Sequence, residues 1–297
     1  PRPRAAHSPR ASRPDELDSV MTTVYPLVFK IGPIEITGFG ILMMLGFVVA
    51  GWLVTLELRR LRWNEEYGAD LIVAAVLGGV LGAKLWYVAL TQDTGALFSR
   101  GGLVWYGGFL GGVVAVALAG YRRRVPVRIT MHLAAPALAG SYAVGRVGCF
   151  VVGDDYGIPT SLPWGVKFPQ GLPPTTAGNL SAMFGVPMPE GTDPTTVLAV
   201  HPTQLYTVVA MLVAFMFLWR WRLSNRPFGW LFGAFLVFMG LERFLVEILR
   251  AKDDRVLGAF TLAQATSIPI VIVGVILMVR LANAANPPPG EYLQRKA

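Results

Sequence analysis

The sequence predicts an all-α polytopic membrane protein with seven transmembrane helices. Its 297 residues are 54% hydrophobic with a mean hydropathy of +0.52, which is more apolar surface than a water-soluble domain can bury. Seven windows are long and apolar enough to cross the hydrocarbon core, which takes about 20 residues of helix. Basic residues collect in alternate loops between these windows, as the positive-inside rule expects. We therefore expect one seven-helix bundle without a separate soluble domain.

The windows follow one another along the chain. They cover residues 36–56, 70–90, 103–120, 131–153, 202–219, 228–249 and 261–279. Residues 1–30 are interpreted as a disordered leader, an expression remnant or an over-long start over residues 1–20, together with a short periplasmic stretch up to residue 30. Residues 31–282 then form the membrane domain, and residues 283–297 form a cytoplasmic tail.

The distribution of basic residues predicts the orientation. From Met21 onward, one set of alternate loops carries thirteen Lys and Arg residues and the other set carries six. This asymmetry places the N-terminus outside and the C-terminus in the cytoplasm. The net charge of +8 therefore reflects topology, and we expect no nucleic-acid partner.

One long periplasmic loop is predicted over residues 154–200. It has little helical periodicity and many Pro, Gly and Thr residues. A loop of this length often serves as a lid or vestibule, with a disordered insertion as the alternative.

Cysteine and histidine are too scarce for several kinds of site. One cysteine, Cys149, excludes an internal disulfide framework and a multi-cysteine metal site. With three histidines in the chain, we expect neither a zinc nor a haem site, and no metal or cofactor. Cys149 itself is interpreted as a small apolar packing residue.

Two arginines, Arg146 and Arg243, lie deep within apolar windows. A guanidinium at such depth costs about 2.5–3.5 kcal/mol on insertion scales unless it faces a polar cavity or a counter-charge. Arg146 has no partner in its own helix, so it requires a carboxylate elsewhere or a ligand phosphate. Glu242, beside Arg243, faces another side of its helix and is interpreted as only neutralising a second charge.

Polar groups from five helices are expected at the outer leaflet. Arg243, Glu247 and Arg250 fall at i, i+4 and i+7 and so share one helix face, although Arg243 and Glu247 alone could form a structural ion pair. Lys84 could take part or could snorkel to the interface. The other members of this group are Tyr106, Arg146, Asp154, His201 and Gln204.

Glycines supply a further signal. Gly101 and Gly102, at the start of the third window, could offer backbone N–H groups to an anion. Gly111 and Gly112 are better explained by close helix packing. Gly157 closes the segment GDDYG and indicates a turn.

Five segments together resemble the prolipoprotein diacylglyceryl transferase family. They are GGLVWYGGFLGG (101–112), GRVGCFVVGDDYG (145–157), HPTQLY (201–206), ERFLVEILR (242–250) and TLAQATS (261–267). The resemblance runs from about residue 31 to residue 280 and implies a seven-helix enzyme of the bacterial inner membrane. Such an enzyme moves the diacylglyceryl group of phosphatidylglycerol onto the lipobox cysteine of prolipoprotein signal peptides and releases glycerol 1-phosphate.

The resemblance also implies roles for individual residues. Arg146 and Arg243 match arginines that hold the lipid phosphate, and Glu247 and Arg250 match the polar network beside Arg243. Gly157 matches the glycine that closes the signature segment. His201, Gln204 and Tyr206 match a stretch that is structural more than catalytic.

Four positions depart from the pattern of many family members. Tyr106 stands in place of a histidine, Phe39 in place of a tyrosine, Cys149 in place of an asparagine and Asp154 in place of a glutamate. The histidine would take the thiol proton, which a tyrosine with a pKa near 10 does not readily do, so Tyr106 could instead donate a hydrogen bond to the phosphate.

The reaction itself sets two demands. A thiolate attacks the glycerol C3 carbon and expels a phosphate ester, so the site must stabilise phosphate oxygens and deprotonate a thiol with a pKa of about 8.5. Two arginines meet the first demand, and Asp154, Glu247 or the phosphate could meet the second. The expected partners are phosphatidylglycerol, the signal peptide and membrane lipid, and a monomer is expected. The alternatives are a paralogue that binds phosphatidylglycerol but modifies another acceptor or none, and an anion transporter.

Overall fold

Each of the seven windows forms a helix in the computed structural model, which describes residues 22–32, 34–98, 104–252, 255–257 and 260–294. Long helices that follow one another in the chain run in opposite directions, and two short α-helices and one 3-10 helix (Thr94–Phe98) complete the described set. The helices are α1 (Gly38–Leu61), α2 (Glu66–Thr91), α3 (Trp105–Arg122), α4 (Val127–Val152), α5 (Ala177–Phe184), α6 (Thr203–Trp221), α7 (Trp230–Glu247), α8 (Leu262–Leu281) and α9 (Glu291–Gln294).

Five of these helices are long and apolar enough to cross a membrane: α1, α2, α4, α6 and α8. Helix α7 has a comparable length of 18 residues but carries Glu242, Arg243 and Glu247. Helix α3 is also 18 residues long and apolar apart from Arg122 at its end. The protein is therefore mostly helical, with several helices built for a bilayer.

Side chains cap the helix starts where the sequence has threonine. The Thr37 hydroxyl accepts a hydrogen bond from the Gly40 N–H at 3.1 Å and so begins α1. At the start of α8, Thr261 and Gln264 form a capping box, in which each side chain accepts from the other residue's N–H. The TLAQATS segment therefore has a local structural explanation.

Helix α4 is the centre of the bundle and packs against α1, α6 and α7. Its buried face is made mostly of small residues, among them Ala135, Ala139, Ala143 and Gly148. Small side chains allow neighbouring backbones to approach closely, which favours helix association in lipid. Two apolar cores result, one between α1, α2 and α4 and the other between α4, α6 and α7.

Helices α2 and α3 form a hairpin through glycine contacts. A Cβ atom at Gly107 would overlap with the Gly82 carbonyl oxygen and Trp86, and one at Gly111 would overlap with the Gly78 carbonyl oxygen. The packing role expected for Gly111 is therefore confirmed by its surroundings. The hairpin touches the rest of the bundle mainly through α1 and α4.

The antiparallel helices give the bundle two distinct ends. We call the end that holds the starts of α1, α6 and α8 and the ends of α4 and α7 the site end. We call the opposite end, where α1, α3, α6 and α8 finish with arginine in the last turn, the arginine-rich end.

A buried carboxylate organises the arginine-rich end. The Glu57 side chain is 1% exposed and accepts hydrogen bonds from Arg60 at 2.6 Å and from Arg222 at 2.7 Å. His132 Nε2 lies 3.4 Å from the same carboxylate. These contacts tie the last turn of α1 to α4 and to the residue that follows α6.

The C-terminal helix α9 closes this end. Leu293 is fully buried in the core between α1, α2 and α4, and its carbonyl accepts from the Asn64 N–H at 2.9 Å. The Tyr292 hydroxyl donates to Asp70 at 2.8 Å, and Arg123 pairs with the same carboxylate at 2.9 Å. Part of the segment predicted as a cytoplasmic tail is thus packed against the bundle.

Residues 154–200 fold into a small lobe at the site end. Its core contains Tyr156, Phe168, Leu180 and Val200, all buried. Strand β1 (Thr22–Thr23) pairs in parallel with β4 (Val166–Lys167) of the lobe. Two antiparallel hairpins lie outside it, β2 (Val28–Ile31) with β3 (Ile34–Thr37) and β5 (Arg255–Leu257) with β6 (Phe260–Thr261).

The glycine contacts predict a sharp difference between two substitutions in α3. Gly107→Ala should lower the thermal unfolding temperature of the purified protein, because its methyl group has no space and overpacking typically costs about 1–3 kcal/mol. Gly112→Ala is the matched control, since its methyl group would lie 3.6 Å from the nearest oxygen. Equal stability of both variants would contradict the packing described for this hairpin.

Candidate functional site

A network of side chains with alternating charges lies at the site end. Arg146 Nη1 donates to Asp155 Oδ2 at 2.8 Å, and Arg250 Nη2 donates to the other oxygen of the same carboxylate. Glu247 then accepts from Arg250 at 3.4 Å and pairs with Arg243 at 3.2 Å. Three guanidinium groups and two carboxylates from α4, α7 and the loops that follow them therefore form one network.

Burial differs strongly along this network. The side chains of Arg146 and Arg250 are 8% and 7% exposed, and that of Glu247 is fully buried. Asp155 is 40% exposed and Arg243 is 28% exposed. The network thus has a buried base and an accessible edge, which an anion could approach.

Several buried N–H groups in the network have no hydrogen-bond partner among the residues that the structure describes. They belong to Arg146 (Nε and Nη2) and Arg250 (Nε), and one oxygen of Glu247 is likewise unpaired. A buried donor that is left unpaired costs about 1–3 kcal/mol, more when it is charged. Guanidinium groups with spare N–H groups are suited to bind a group with several oxygens, such as a phosphate.

Arg250 reaches the network from a different geometry than the sequence predicts. The i, i+7 spacing places it on one face of a continuous helix, but α7 ends at Glu247. The chain tightens there through i, i+3 hydrogen bonds of Leu249 and Arg250, and Arg250 then bridges to Gly157. The side chain joins Glu247 and Asp155 because the bridge directs it back across the end of α4.

The turn after α4 explains why Asp155 pairs with the arginines. Gly153 and Asp155 both adopt left-handed backbone conformations, with φ of 70° and 56°. Glycine adopts this conformation freely, and aspartate tolerates it better than most residues. Thr203 fixes the turn by donating its hydroxyl to the Asp155 carbonyl at 2.7 Å. Sequence reasoning missed Asp155 as the partner of Arg146, although the acidic pair past the helix was visible.

The two neighbouring aspartates have opposite electrostatic environments. Burial raises the pKa of Asp154, the negative charge of Asp155 adds to this, and one of its oxygens is buried without a partner. Burial also acts to raise the pKa of Asp155, but Arg250 and Arg146 outweigh it and hold that pKa below the usual value. Asp154 is thus the better proton acceptor near neutral pH, and Asp155 the better permanent anion.

Cys149 lies directly beside this network. Its Sγ atom is 3.5 Å from Arg146 Nη1, one turn along α4. Cys149, Asp154 and Asp155 offer possible ligand atoms within 4.8 Å of one another. A metal ion there would be repelled by Arg146 and Arg250, so the arrangement is better suited to an anion.

The HPTQLY segment braces the site. The buried Gln204 side chain donates to the Asp154 carbonyl at 2.6 Å. His201 accepts from the Gly157 N–H through its carbonyl, and its ring lies 3.1 Å from the Tyr206 hydroxyl. Burial lowers the pKa of His201, which keeps the ring neutral at pH 7. These contacts favour the structural interpretation of the segment.

Gly157 occupies a position without room for a side chain. A Cβ atom there would lie 2.5 Å from the Leu249 carbonyl oxygen and 2.7 Å from His201. The glycine thus allows the end of α7 and the start of α6 to meet behind the network. Glu242, which precedes Glu247 by five residues on α7, also contacts α6: its carboxylate accepts a hydrogen bond from the Thr207 hydroxyl at 2.5 Å.

The remaining predicted residues lie around the site. Phe39 packs against Gly148 of α4 at the start of α1. Tyr106 is 53% exposed near the start of α3, and Lys84 is half-buried near the end of α2, so both are at the site end. Gly101 and Gly102 lie outside the described residues.

The chain is similar to proteins of one family over most of its length. The family described as prolipoprotein diacylglyceryl transferase matches residues 26–280. A phosphatidylglycerol--prolipoprotein diacylglyceryl transferase of Pseudoalteromonas atlantica is 32% identical over 270 residues, covering 86% of this chain and 88% of that protein. Proteins of the same name from Cupriavidus metallidurans and Geobacter sulfurreducens are 31% and 30% identical, covering 88% and 87% of this chain and 94% and 95% of those proteins.

The opposite environments of the two aspartates predict opposite effects on stability. Because the folded state lowers the pKa of Asp155 below 3.8, its ion pairs stabilise the fold above about pH 4 and are lost as the pH falls through the folded-state pKa. Asp155→Asn should therefore lower the unfolding temperature at pH 7, and the difference from the unsubstituted protein should shrink toward pH 3.

For Asp154 the sign is reversed. Its folded-state pKa is raised, so the stability that the proton confers is complete below pH 3.8 and is lost as the pH rises through the folded-state pKa. Asp154→Asn should raise the unfolding temperature at pH 7, and the gain should vanish toward pH 3. Thermal unfolding in detergent between pH 3 and pH 7 measures both, with exposed Asp93→Asn as control. Shifts of the same sign at pH 7 would contradict this account.

Proposed function

Because the chain belongs to the prolipoprotein diacylglyceryl transferase family, we propose that it transfers the diacylglyceryl group of phosphatidylglycerol to the lipobox cysteine thiol of prolipoproteins. The released product is glycerol 1-phosphate. The observation that carries the proposal is the network of Arg146, Arg243 and Arg250, which supplies charged donors at one end of an otherwise apolar bundle.

The arginines hold the phosphate of the lipid headgroup. As the thiolate sulfur forms its bond to glycerol C3, the bond from C3 to the phosphate oxygen breaks and its electron pair passes to that oxygen. Arg146 and Arg243 stabilise the negative charge that develops on that oxygen. Arg250 holds Glu247 and the phosphate in position between these two arginines. Such donors act most strongly where water is excluded, which the buried base of the network favours.

Asp154 is the residue proposed to take the thiol proton. Its raised pKa brings it closer to neutral pH than an ordinary aspartate, and it lies next to the arginines without a salt bridge among the described contacts. The proton passes from the thiol to a carboxylate oxygen, and from there to water. Glu247 is less suited to this role, because two arginines already hold its carboxylate.

Residues of the α2–α3 hairpin are also proposed to approach the lipid headgroup. Tyr106 donates a hydrogen bond to a phosphate oxygen, and Lys84 adds positive charge at the same depth. Gly101 and Gly102 would bring backbone N–H groups to the start of α3. Cys149 and Phe39 line the side of the site toward α1.

The proposed topology follows the charge distribution. All seven long helices span the bacterial inner membrane, with the arginine-rich end in the cytoplasm and the site end at the periplasmic face. Residues 154–200 then form the periplasmic lobe where the signal peptide arrives. The enzyme is proposed to act as a monomer on membrane-embedded lipid and peptide.

The proposed reaction predicts a defined product. Purified protein incubated with phosphatidylglycerol and a lipobox peptide should yield a peptide with a diacylglyceryl thioether, detected by mass. Arg146→Lys should lower kcat/KM by about 10²- to 10³-fold, because lysine keeps the charge but loses the forked contact with two oxygens. Arg220→Lys, at an exposed position in the last turn of α6, is the matched control and should be unchanged. A folded protein that gives no product would refute the proposal.

The role of Asp154 predicts a separation of kinetic constants. Asp154→Asn should lower kcat by about 10²- to 10⁴-fold with little change in the KM for phosphatidylglycerol, because the amide cannot accept the thiol proton. Asp154→Glu keeps a carboxylate and should retain most of the activity. If Asp154→Asn kept its kcat, the proton would have to go to another group, and Tyr106→His would then be the next variant to test.

A further inference from the structure

Asp155 pairs with two of the three arginines that are proposed to hold the phosphate. Its two carboxylate oxygens are divided between Arg146 and Arg250, so one planar anion already bridges the two guanidinium groups. A phosphate ester presents oxygens in a similar bridging arrangement. Within the described network, Arg146, Arg250 and Arg243 each already hold a carboxylate oxygen. A bound phosphate must therefore either use the spare N–H groups alone or replace a carboxylate.

The two carboxylates differ in how readily they could be replaced. Glu247 is fully buried, and its removal from both arginines would leave a charge without solvent. Asp155 is 40% exposed and can turn toward water. Its backbone need not move, because the Thr203 hydroxyl holds its carbonyl and the left-handed turn is already formed. A rotation of one side chain is therefore sufficient to release Arg146 and Arg250 from Asp155, while Arg250 keeps its contact with Glu247.

The spare N–H groups show that a carboxylate does not saturate the site. The side chains of Arg146 and Arg250 are more than nine-tenths buried. Within the described part of the chain, Nε and Nη2 of Arg146 and Nε of Arg250 have no hydrogen-bond partner. A carboxylate has two oxygens in one plane, whereas a phosphate has four in a tetrahedron. Two of these are not bonded to carbon in the phosphodiester of the lipid, and three are not in the monoester product. The exchange of Asp155 for a phosphate would thus allow additional charge-assisted hydrogen bonds.

We propose that Asp155 is a displaceable internal occupant of the phosphate site: it pairs with Arg146 and Arg250 in the empty protein, and the headgroup phosphate expels it on binding. This inference deepens the proposed function and rests on it, because the ligand is the phosphate ester of a membrane lipid. The carboxylate keeps the buried arginines paired between turnovers. It also weakens the binding of lipid and of the phosphate product, which favours product release.

Displacement of Asp155 predicts the direction in which its substitution changes the affinity for glycerol 1-phosphate. If Asp155 competes with the phosphate, Asp155→Asn should tighten glycerol 1-phosphate binding by roughly three- to tenfold, as expected when two partly exposed ion pairs no longer have to be broken. The KM for phosphatidylglycerol should fall in the same direction. If Asp155 only holds the arginines in position, the same substitution should weaken binding and raise the KM. Isothermal titration in detergent without phospholipid measures the first quantity, and the thioether assay measures the second.

Matched variants make the result specific. Asp155→Glu keeps the charge and should bind within twofold of the unsubstituted protein. Asp193→Asn removes one charge from the same lobe, where that side chain bonds only to Thr195 among the described contacts, and should have no effect. If Asp155→Asn cannot be purified, Asp155→Ser removes the same charge and should also tighten binding. Weaker or unchanged binding by the neutral variants would overturn the inference.

The two proposals fail separately. Turnover of phosphatidylglycerol with no tightening in Asp155→Asn would remove the displacement and leave the transferase proposal standing. Tighter glycerol 1-phosphate binding without any thioether product would leave the displacement standing and remove the transferase reaction. Titration with inorganic phosphate is the last arm, and a gain there without a lower KM for the lipid would assign the site to free phosphate and overturn the inference as stated.

Discussion

The structure depends on the pairing of arginines that the bundle buries. Arg146 and Arg250 are almost without exposure, in segments whose other side chains are largely apolar. Such charges are stable only when carboxylates meet them, and Asp155 and Glu247 do so from a loop and from α7. Because these four residues belong to different segments, the pairing also fixes how the end of α7 and the loop after α4 lie against each other. The geometry of the site and the architecture of this end therefore have the same cause.

Helix α4 contributes a side chain to an ionic cluster at each end of the bundle. At the arginine-rich end His132 lies against the buried Glu57, which also holds Arg60 and Arg222. At the site end Arg146 performs the corresponding function with reversed charge. Between them the helix offers alanine and glycine, which allow close approach but little specificity. The two ionic clusters at the ends of α4 thus determine how this helix is aligned along its neighbours, which the apolar contacts in the middle of the bundle do not determine.

The sequence was sufficient to locate the helices and to place several candidate residues at one end, but not to predict how those residues pair. Apolar windows located all seven long helices within a few residues, because a long apolar run has few other solutions. The gathering of Arg146, Glu247, Arg250, His201 and Gln204 at one end followed from helix direction alone. Which of the two aspartates, Asp154 or Asp155, pairs with Arg146 depends on a left-handed turn. The position of Arg250 depends on a backbone bridge to Gly157. Such local backbone conformations leave no periodic trace in a sequence.

The buried C-terminal helix has a consequence for how the protein is made. Leu293 completes a core whose other members, such as Leu58, Val125 and Ile129, are present in the chain long before it. Until Leu293 has left the ribosome and packed against them, that core remains open on one side. Helix α9 thus covers apolar surface that would otherwise stay exposed to proteolysis during synthesis.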